Sequence, residues 1–262
     1  SSQFRDAFGA SLVMDYRGGT SIPIHVGDEP QLHPGEDRIS DSYVKRVRAL
    51  PRLDTQGDGM RSFAGILFEA TVTKHDVTLI DEPEAFLHPP QMRRLARTLA
   101  SDVSGQLFVS THSSDVLRGF LDSPNGSIRI LRLQRSGDVN ETTETDPQTL
   151  RELWDNPDLK YSNALDSIFH EVCVLCEDDS DCRFYNAVAD YQAELDNDRW
   201  PDAIYVPCGG KHSVPRLASA LRQLGVPVHT ILDIDALSDE IYLKKLVESF
   251  GDDWSVIEKL WK

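Results

Sequence analysis

Two groups of carboxylates, each placed at the end of an apolar run, are where this chain could do chemistry. Val77-Thr78-Leu79-Ile80 runs into Asp81 and Glu82, and Val172-Cys173-Val174-Leu175-Cys176 runs into Glu177, with Asp181 four residues on. Ile231-Leu232-Asp233-Ile234-Asp235 repeats the pattern. An apolar strand that ends in acids puts them at the carboxyl edge of a sheet, where open α/β folds hold their ligands. Leaving carboxylates there costs solvation unless a cation or a reacting group needs them. Asp81 suits a water-mediated magnesium role in nucleotide hydrolysis, and Glu82 beside it suits polarising an attacking water. His112 ends the apolar run Leu107-Phe108-Val109 by way of Ser110 and Thr111, where its ring can hydrogen-bond a γ-phosphate. Glu177, Asp181, Asp233 and Asp235 would repel one another, and hard divalent cations are the natural remedy. Two such ions could hold a phosphodiester, activate water and stabilise the leaving oxygen. Lys211, in the turn Gly209-Gly210-Lys211, is expected to contact a phosphate or polarise a scissile oxygen, with a solvated turn lysine as the alternative.

The elements that must position these residues alternate strand and helix. The spacing predicts a hairpin of strands 11–16 and 22–26, a polar loop over 28–40, a short basic helix over 42–50 and a helix over 60–72 with Phe63, Ile66, Leu67 and Ala70 on one face. Strand 77–80, helix 90–101 behind Pro89-Pro90, strand 106–110, a helix capped near Ser113-Ser114-Asp115, and strand 127–133 complete a first unit. Residues 134–147 are polar and read as an exposed loop, and helical segments 148–154 and 161–169 follow. The second alternation has strands 172–176, 203–207 and 228–233 with helices 180–194, 213–224 and 239–250. Strands that alternate with helices argue for parallel sheets in both units. On a strand, Asp233 and Asp235 would point to the same side.

The chain has 262 residues, 40% apolar and 27% charged, enough for two ordinary domains and typical of a folded, water-facing protein. Its net charge of −16 is spread over both parts: residues 1–170 hold 18 Lys and Arg against 25 Asp and Glu, and residues 171–262 hold 9 against 18. No part carries the general basic footprint of a nucleic-acid binder, so contact with DNA would fall to local clusters such as Lys45, Arg46, Arg48 and Arg52, or Arg93, Arg94 and Arg97. No apolar run is long enough to cross a bilayer, and no membrane association is expected. Four cysteines near apolar strands are too few and too clustered for a disulfide framework, so they are expected to pack in the core in a reducing cytoplasm. Cys173 and Cys176 face opposite sides of a strand and make no zinc site.

Leu79-Ile80-Asp81-Glu82-Pro83-Glu84-Ala85-Phe86-Leu87-His88-Pro89, followed by Ser110-Thr111-His112-Ser113, resembles the Walker B, D-loop and H-loop of ABC-type ATPases. The likeness is to the branch found in the OLD (overcoming lysogenization defect) nucleases and their SMC-like relatives. Gln56-Gly57-Asp58-Gly59-Met60-Arg61 stands in place of the ABC signature loop, without the usual serine before glycine. The resemblance implies that Asp81, Glu82, His112, Gly57 and Gly59 serve ATP, with the loop capping nucleotide held by the opposite subunit of a homodimer or higher homo-oligomer. Gly57 and Gly59 have a physical use there, because backbone must come close to a phosphate. No Gly-x-x-x-x-Gly-Lys-Ser/Thr occurs in the chain, and Gly209-Gly210-Lys211-His212-Ser213 lacks the first glycine and the spacing. With no starting methionine either, the expectation is a fragment without its Walker A lobe, unable to hydrolyse ATP alone.

Val174-Leu175-Cys176-Glu177-Asp178-Asp179-Ser180-Asp181-Cys182-Arg183-Phe184-Tyr185, with the Gly-Gly-Lys turn and Asp233-x-Asp235, resembles the Toprim domain in its OLD form. Asp178 stands where that family usually has glycine. Together the resemblances imply an α/β protein with a C-terminal ABC-ATPase lobe over residues 1–146, a helical connector over 147–170 and a Rossmann-like Toprim domain over 171–262. They imply an ATP-regulated DNA endonuclease in which Glu177, Asp181, Asp233 and Asp235 bind Mg2+ or Mn2+, with Glu82, Glu177, Asp233 and Lys211 in catalysis. A phage-defence role and a defence-system partner protein follow by analogy alone. The alternative is a nucleotide-switched SMC-like DNA clamp or scaffold with an inactive Toprim domain, in which Asp178, Asp179 and Asp181 merely open a helix.

Overall fold

The computed structural model describes residues 2–124, 128–145, 147–155, 157–160, 163–196 and 202–262. The chain divides into two compact units, Ser1–Gly126 and Ser127–Lys262. In the first, helix α1 (Ser2–Phe8) precedes the antiparallel pair β1 (Ser11–Met14) and β2 (Ile24–Gly27), with Ser11 opposite Gly27. Then come α2 (Asp41–Arg48), α3 (Asp58–Val72), β3 (Val77–Asp81), α4 (Pro89–Asp102), β4 (Gln106–Ser110) and α5 (Ser114–Leu121). Strands β3 and β4 are parallel, as expected, with Val77 opposite Gln106 and Asp81 opposite Ser110. Alternate residues Phe63, Leu67 and Ala70 on α3, and Leu95 and Leu99 on α4, bury a shared stripe with Phe4 from α1. The Phe4 and Phe63 rings meet edge-on at 6.1 Å. Helix α5 lies tight on α4, because a Cβ at Gly119 would sit 2.5 Å from the Arg93 carbonyl oxygen. One face of the β3–β4 pair stays in solvent, exposing Val77, Leu79 and Phe108. Helix α1 has no counterpart in the sequence reading, since its seven residues are too short for a periodic signal.

The polar loop over 28–40 is held by its own acids. Glu36 accepts from the His33 N–H, the Ser42 hydroxyl and, at 2.5 Å, the Arg46 guanidinium. The Arg46 bond leads in holding the Glu36 carboxyl down at about 2. Asp15 is buried, which pushes its carboxyl up, but the Arg48 guanidinium at 2.7 Å and the Arg17 N–H outweigh burial and hold it below the usual 3.8. Groups with depressed folded values stabilise the fold above their ordinary values and lose that contribution as pH falls through the folded ones. The first unit is therefore expected to weaken between about pH 4.5 and about pH 2. Glu36→Gln should flatten that part of a denaturant midpoint-versus-pH curve; an unchanged slope would refute the assignment.

The second unit opens with a hairpin, β5 (Ile130–Ser136) and β6 (Val139–Thr145), antiparallel with Ile130 opposite Thr145. Two expectations are corrected here. Strand 127–133 does not close the first unit, and residues 134–147 are not a loop but include the returning strand. Buried Arg132 explains the placement: its guanidinium donates to the carbonyls of Ile168 at 2.9 Å, His170 at 2.8 Å and Gly225 at 2.8 Å, all in the second unit. The boundary between compact units accordingly lies at 126, ahead of the 146 set by the sequence reading. Residue 127 of that expected strand, and residues 161–162 of the expected helix 161–169, lie outside the described residues.

Helices α6 (Pro147–Trp154) and α7 (Pro157–Lys160) and a 3-10 helix, Ala164–Phe169, lead to the sheet. Its elements are β7 (Val172–Cys176), α8 (Asp179–Asp196), β8 (Ala203–Pro207), α9 (Val214–Gln223) and β9 (Val228–Ile231), followed by α10 (Glu240–Ser249) and α11 (Trp254–Trp261). The strand order is β8-β7-β9, all parallel. Central β7 buries Cys173, Val174, Leu175 and Cys176, as a continuous apolar run predicts for the middle of a covered parallel sheet. All four cysteines are free and buried. Among the described residues no helix is long and apolar enough to cross a membrane.

Candidate functional site

In the first unit the chain leaves β3 through a strained turn. Glu82 (φ +44°) and Phe86 (φ +65°) are the only non-glycine residues with positive φ among those described. Left-handed backbone at residues with side chains is uncommon and gathers at functional sites. The Glu82 N–H extends the ladder by donating to the Ser110 carbonyl at 3.0 Å, and the Ser110 hydroxyl donates to the Asp81 carboxylate. His112 follows β4, and its Nδ1 lies 3.4 Å from Glu82 Oε1. Asp81, Glu82 and His112 thus share one sheet edge. Gly59 is brought to the same turn, because a Cβ there would meet the Phe86 carbonyl oxygen at 2.6 Å; Gly57 has open space around it. Packing inside the chain already requires glycine at 59.

Sequence reasoning missed Glu84, whose only signal is an acid flanked by Pro83, Ala85, Phe86 and Leu87. It is buried, and its Oε1 accepts the Thr111 hydroxyl at 2.7 Å and the His112 N–H at 3.0 Å. The His112 ring stands 3.5 Å from the same oxygen, while buried Oε2 has no partner. Glu84 therefore ties the acidic turn to the histidine segment. Glu84→Ala would strand two donors, at about 1–3 kcal/mol each less what water recovers, so the first unit should lose about 3 kcal/mol. Glu84→Gln keeps an acceptor and should cost less. Denaturant unfolding of the two variants checks this, and equal losses would show that Oε1 carries no structural load.

In the second unit, Glu177 directly follows β7. Its carbonyl accepts the Gly210 N–H at 2.8 Å and its Oε1 accepts the Asp233 N–H at 3.3 Å, so three strand ends meet at this residue. Strand β9 stops at Ile231, two residues short of the expected end. Asp233 and Asp235 lie beyond it, flanking the start of a 3-10 helix, Ile234–Ser238, rather than alternating along a strand. Both acids are exposed, and Lys211 Nζ lies 2.6 Å from Asp235 Oδ2. That hydrogen bond leads in holding the Lys211 amine above its usual range, with the charges of Asp235, Glu177 and Asp239 adding to it.

Asp178 and Asp181 close the first turn of α8 on each other. Asp178 Oδ1 accepts the Ser180 N–H at 2.7 Å and the Asp181 N–H at 3.2 Å, and Asp181 Oδ2 accepts the Asp178 N–H at 3.4 Å. The residue in place of glycine is thus the helix cap. The structure brings Glu177, Lys211, Asp233 and Asp235 to one edge and turns Asp181 toward the cap. Among the described residues no three His, Cys, Asp or Glu side chains form a gathered metal-binding group. Sequence reasoning also missed Tyr242, buried with its hydroxyl unpartnered. Burial first, then the charges of Glu177, Cys208 and Asp235, push its phenol up to about 12.

Residues 35–118 match the family model described as "AAA domain, putative AbiEii toxin, Type IV TA system". Residues 168–235 match "Overcoming lysogenization defect protein-like, TOPRIM domain". No curated protein matches the chain. Among solved structures, one from a study of ATP-driven dimerisation and DNA-stimulated activation of SMC ATPases is 14% identical, with 59% of this chain and 86% of that one covered and a TM-score of 0.39. An Smc head with an extended coiled coil, bound to the C-terminal domain of ScpA from Pyrococcus furiosus, is 14% identical, covering 59% and 35%, with a TM-score of 0.41. An SmcHead bound to the C-winged helix domain of ScpA is 15% identical, covering 56% and 42%, with a TM-score of 0.36. The chain thus spans under half the length of these last two, and at such TM-scores the likeness fixes neither fold nor function. The two family matches place an AAA-type ATPase domain ahead of an OLD-like Toprim domain, the order expected from the sequence.

Proposed function

We propose that this chain belongs to an ATP-regulated, divalent-metal-dependent DNA endonuclease of the OLD type, in which the Toprim domain hydrolyses phosphodiester bonds. The observation that carries the reading is the carboxyl edge of β8-β7-β9, where Glu177, Lys211, Asp233 and Asp235 meet inside the stretch that matches an OLD-like Toprim domain. The donor chemistry is that of hard cations such as Mg2+ or Mn2+: the side chains are not gathered around one point, but they offer only carboxylate oxygen, half-buried or exposed, and already draw a lysine ammonium onto their edge. Glu177, Asp233 and Asp235 would hold the ion, with Asp181 joining from the first turn of α8. A divalent cation held there supplies Lewis acidity toward the phosphodiester and makes water a competent nucleophile near neutral pH. Lys211, at the end of the Gly209-Gly210 turn, would donate to a non-bridging or leaving oxygen of the same phosphate.

The ATPase half is read in the same way. Asp81 would hold a nucleotide-bound magnesium, Glu82 would polarise water and His112 would report on the γ-phosphate, their strained turn braced by Glu84. A phosphate-cradling glycine loop, absent from this sequence, would be needed beside them. Pairing of ATPase domains into a homodimer or higher oligomer, with Gly57 and Gly59 facing the partner's nucleotide, and a phage-defence role with a partner protein, rest on the family resemblance. The clamp or scaffold reading draws on Asp178 standing in place of glycine; its role as helix cap gives that residue a use compatible with cutting. Nicking of supercoiled plasmid with Mn2+ or Mg2+, abolished by chelation, tests the proposal. Plasmid left intact under every divalent metal would favour the clamp.

A further inference from the structure

Helix α8 carries apolar residues on two faces. One packs inward, where buried Cys182 and half-buried Tyr185 join Val174 and Cys176 of β7. The other stands in solvent: Phe184 is 62% exposed, Val188 47%, Tyr191 63% and Leu195 60%. Successive steps along this face are four, three and four residues, so all four side chains fall within about 60° of the helix circumference, beside the buried face. A narrow apolar stripe repeating every 3.5 residues is the pattern of a helix-pairing seam. A helix that covers a parallel sheet ordinarily turns polar residues outward instead. Along one flank of the seam Arg183 stands at the N-terminal end, exposed Ala187 in the middle and exposed Glu194 at the C-terminal end, with Asp190 on the same side but farther out.

We propose that this seam is where a second copy of the chain docks, α8 against α8 and antiparallel. About a two-fold axis midway between positions 188 and 191, Phe184 meets the partner's Leu195 and Val188 meets the partner's Tyr191, so each ring packs on an aliphatic side chain. The same rotation carries Arg183 to the partner's Glu194, twice by symmetry, while Ala187 between them lets the backbones approach. A parallel pair would set Arg183 against its own copy, and Glu194 likewise. Arg183 meets Asp179 one turn back at 2.5 Å, but its side chain is 80% exposed and within reach of a facing carboxylate. The four apolar side chains would bury roughly 450 Å2 per copy, about 900 Å2 in all, short of the ~1,200 Å2 of a lasting complex. The dimer therefore comes apart on dilution. It lies within the second unit and needs no nucleotide, which separates it from pairing of ATPase domains.

Sedimentation equilibrium of the whole chain without nucleotide, at about 0.15 M salt so that its net charge is screened, reads the association directly. Wild type should pass from monomer to dimer as its concentration rises. Val188→Glu puts a charge into the seam and should raise the dissociation constant at least ten-fold, roughly the loss of one central contact. Arg183→Glu and Glu194→Arg, both at exposed positions, should each weaken the dimer about three-fold, and the double reversal should restore it, which a loosened fold would not do. A wild type that stays monomeric at every concentration would give the seam to another protein and overturn the proposal. A dimer indifferent to Val188→Glu would place the contact elsewhere, with the same result. Single reversals without effect, or a double reversal without recovery, would overturn the antiparallel arrangement.

Discussion

On the proposed function, Asp233→Ala is expected to cut metal-dependent plasmid nicking about a thousand-fold while leaving the fold intact, since loss of the ligand proposed there would remove several kcal/mol of transition-state stabilisation. The structure makes this a clean test. Asp233 is exposed and precedes the 3-10 helix Ile234–Ser238 without any side-chain cap bond, so its carboxylate holds nothing in place. Its contact with Glu177 is made by the backbone N–H, which alanine keeps. Asp178→Ala is the useful contrast. It removes the cap of α8 and should change nicking far less. Initial rates of nicking, with far-UV circular dichroism as the control for folding, separate the two. Wild-type rates in Asp233→Ala would remove that residue from the chemistry.

Arg132→Met is expected to destabilise the second unit by about 3 kcal/mol. The guanidinium donates to three backbone carbonyls, two at Ile168 and His170 and one at Gly225, and methionine fills the volume while leaving those oxygens to water or to nothing. Arg132→Lys should lose less, yet more than a conservative exchange on a surface would, because one ammonium cannot span three acceptors set for a planar fork. The two compact units need not unfold together, so the effect is best read as amide hydrogen exchange of Val139–Thr145 and His170, where protection should fall first. Retained protection there in Arg132→Met would mean that the hairpin is held by its own pairing.

What the sequence determined by itself was the content that lies in short stretches. Asp81, Glu82 and Glu177 end their apolar runs where the alternation placed them, and the helices between are amphipathic enough to read directly. The parallel pairings of β3 with β4 and of β7 with β8 follow from strands joined through helices. Residues 139–145, Val-Asn-Glu-Thr-Thr-Glu-Thr, gave no such signal, because a strand with almost every side chain in water has no apolar alternation to show. Its partner is fixed by β5 and by Arg132, whose acceptors include a carbonyl 93 residues away. The same holds for the sites. Glu84 meets Thr111 and His112 across 27 and 28 residues, and Lys211 meets Asp235 across 24. Residue type and local period announce where charge must stand; which charge is answered by which partner depends on contacts between distant segments, and those exist only once the chain has folded.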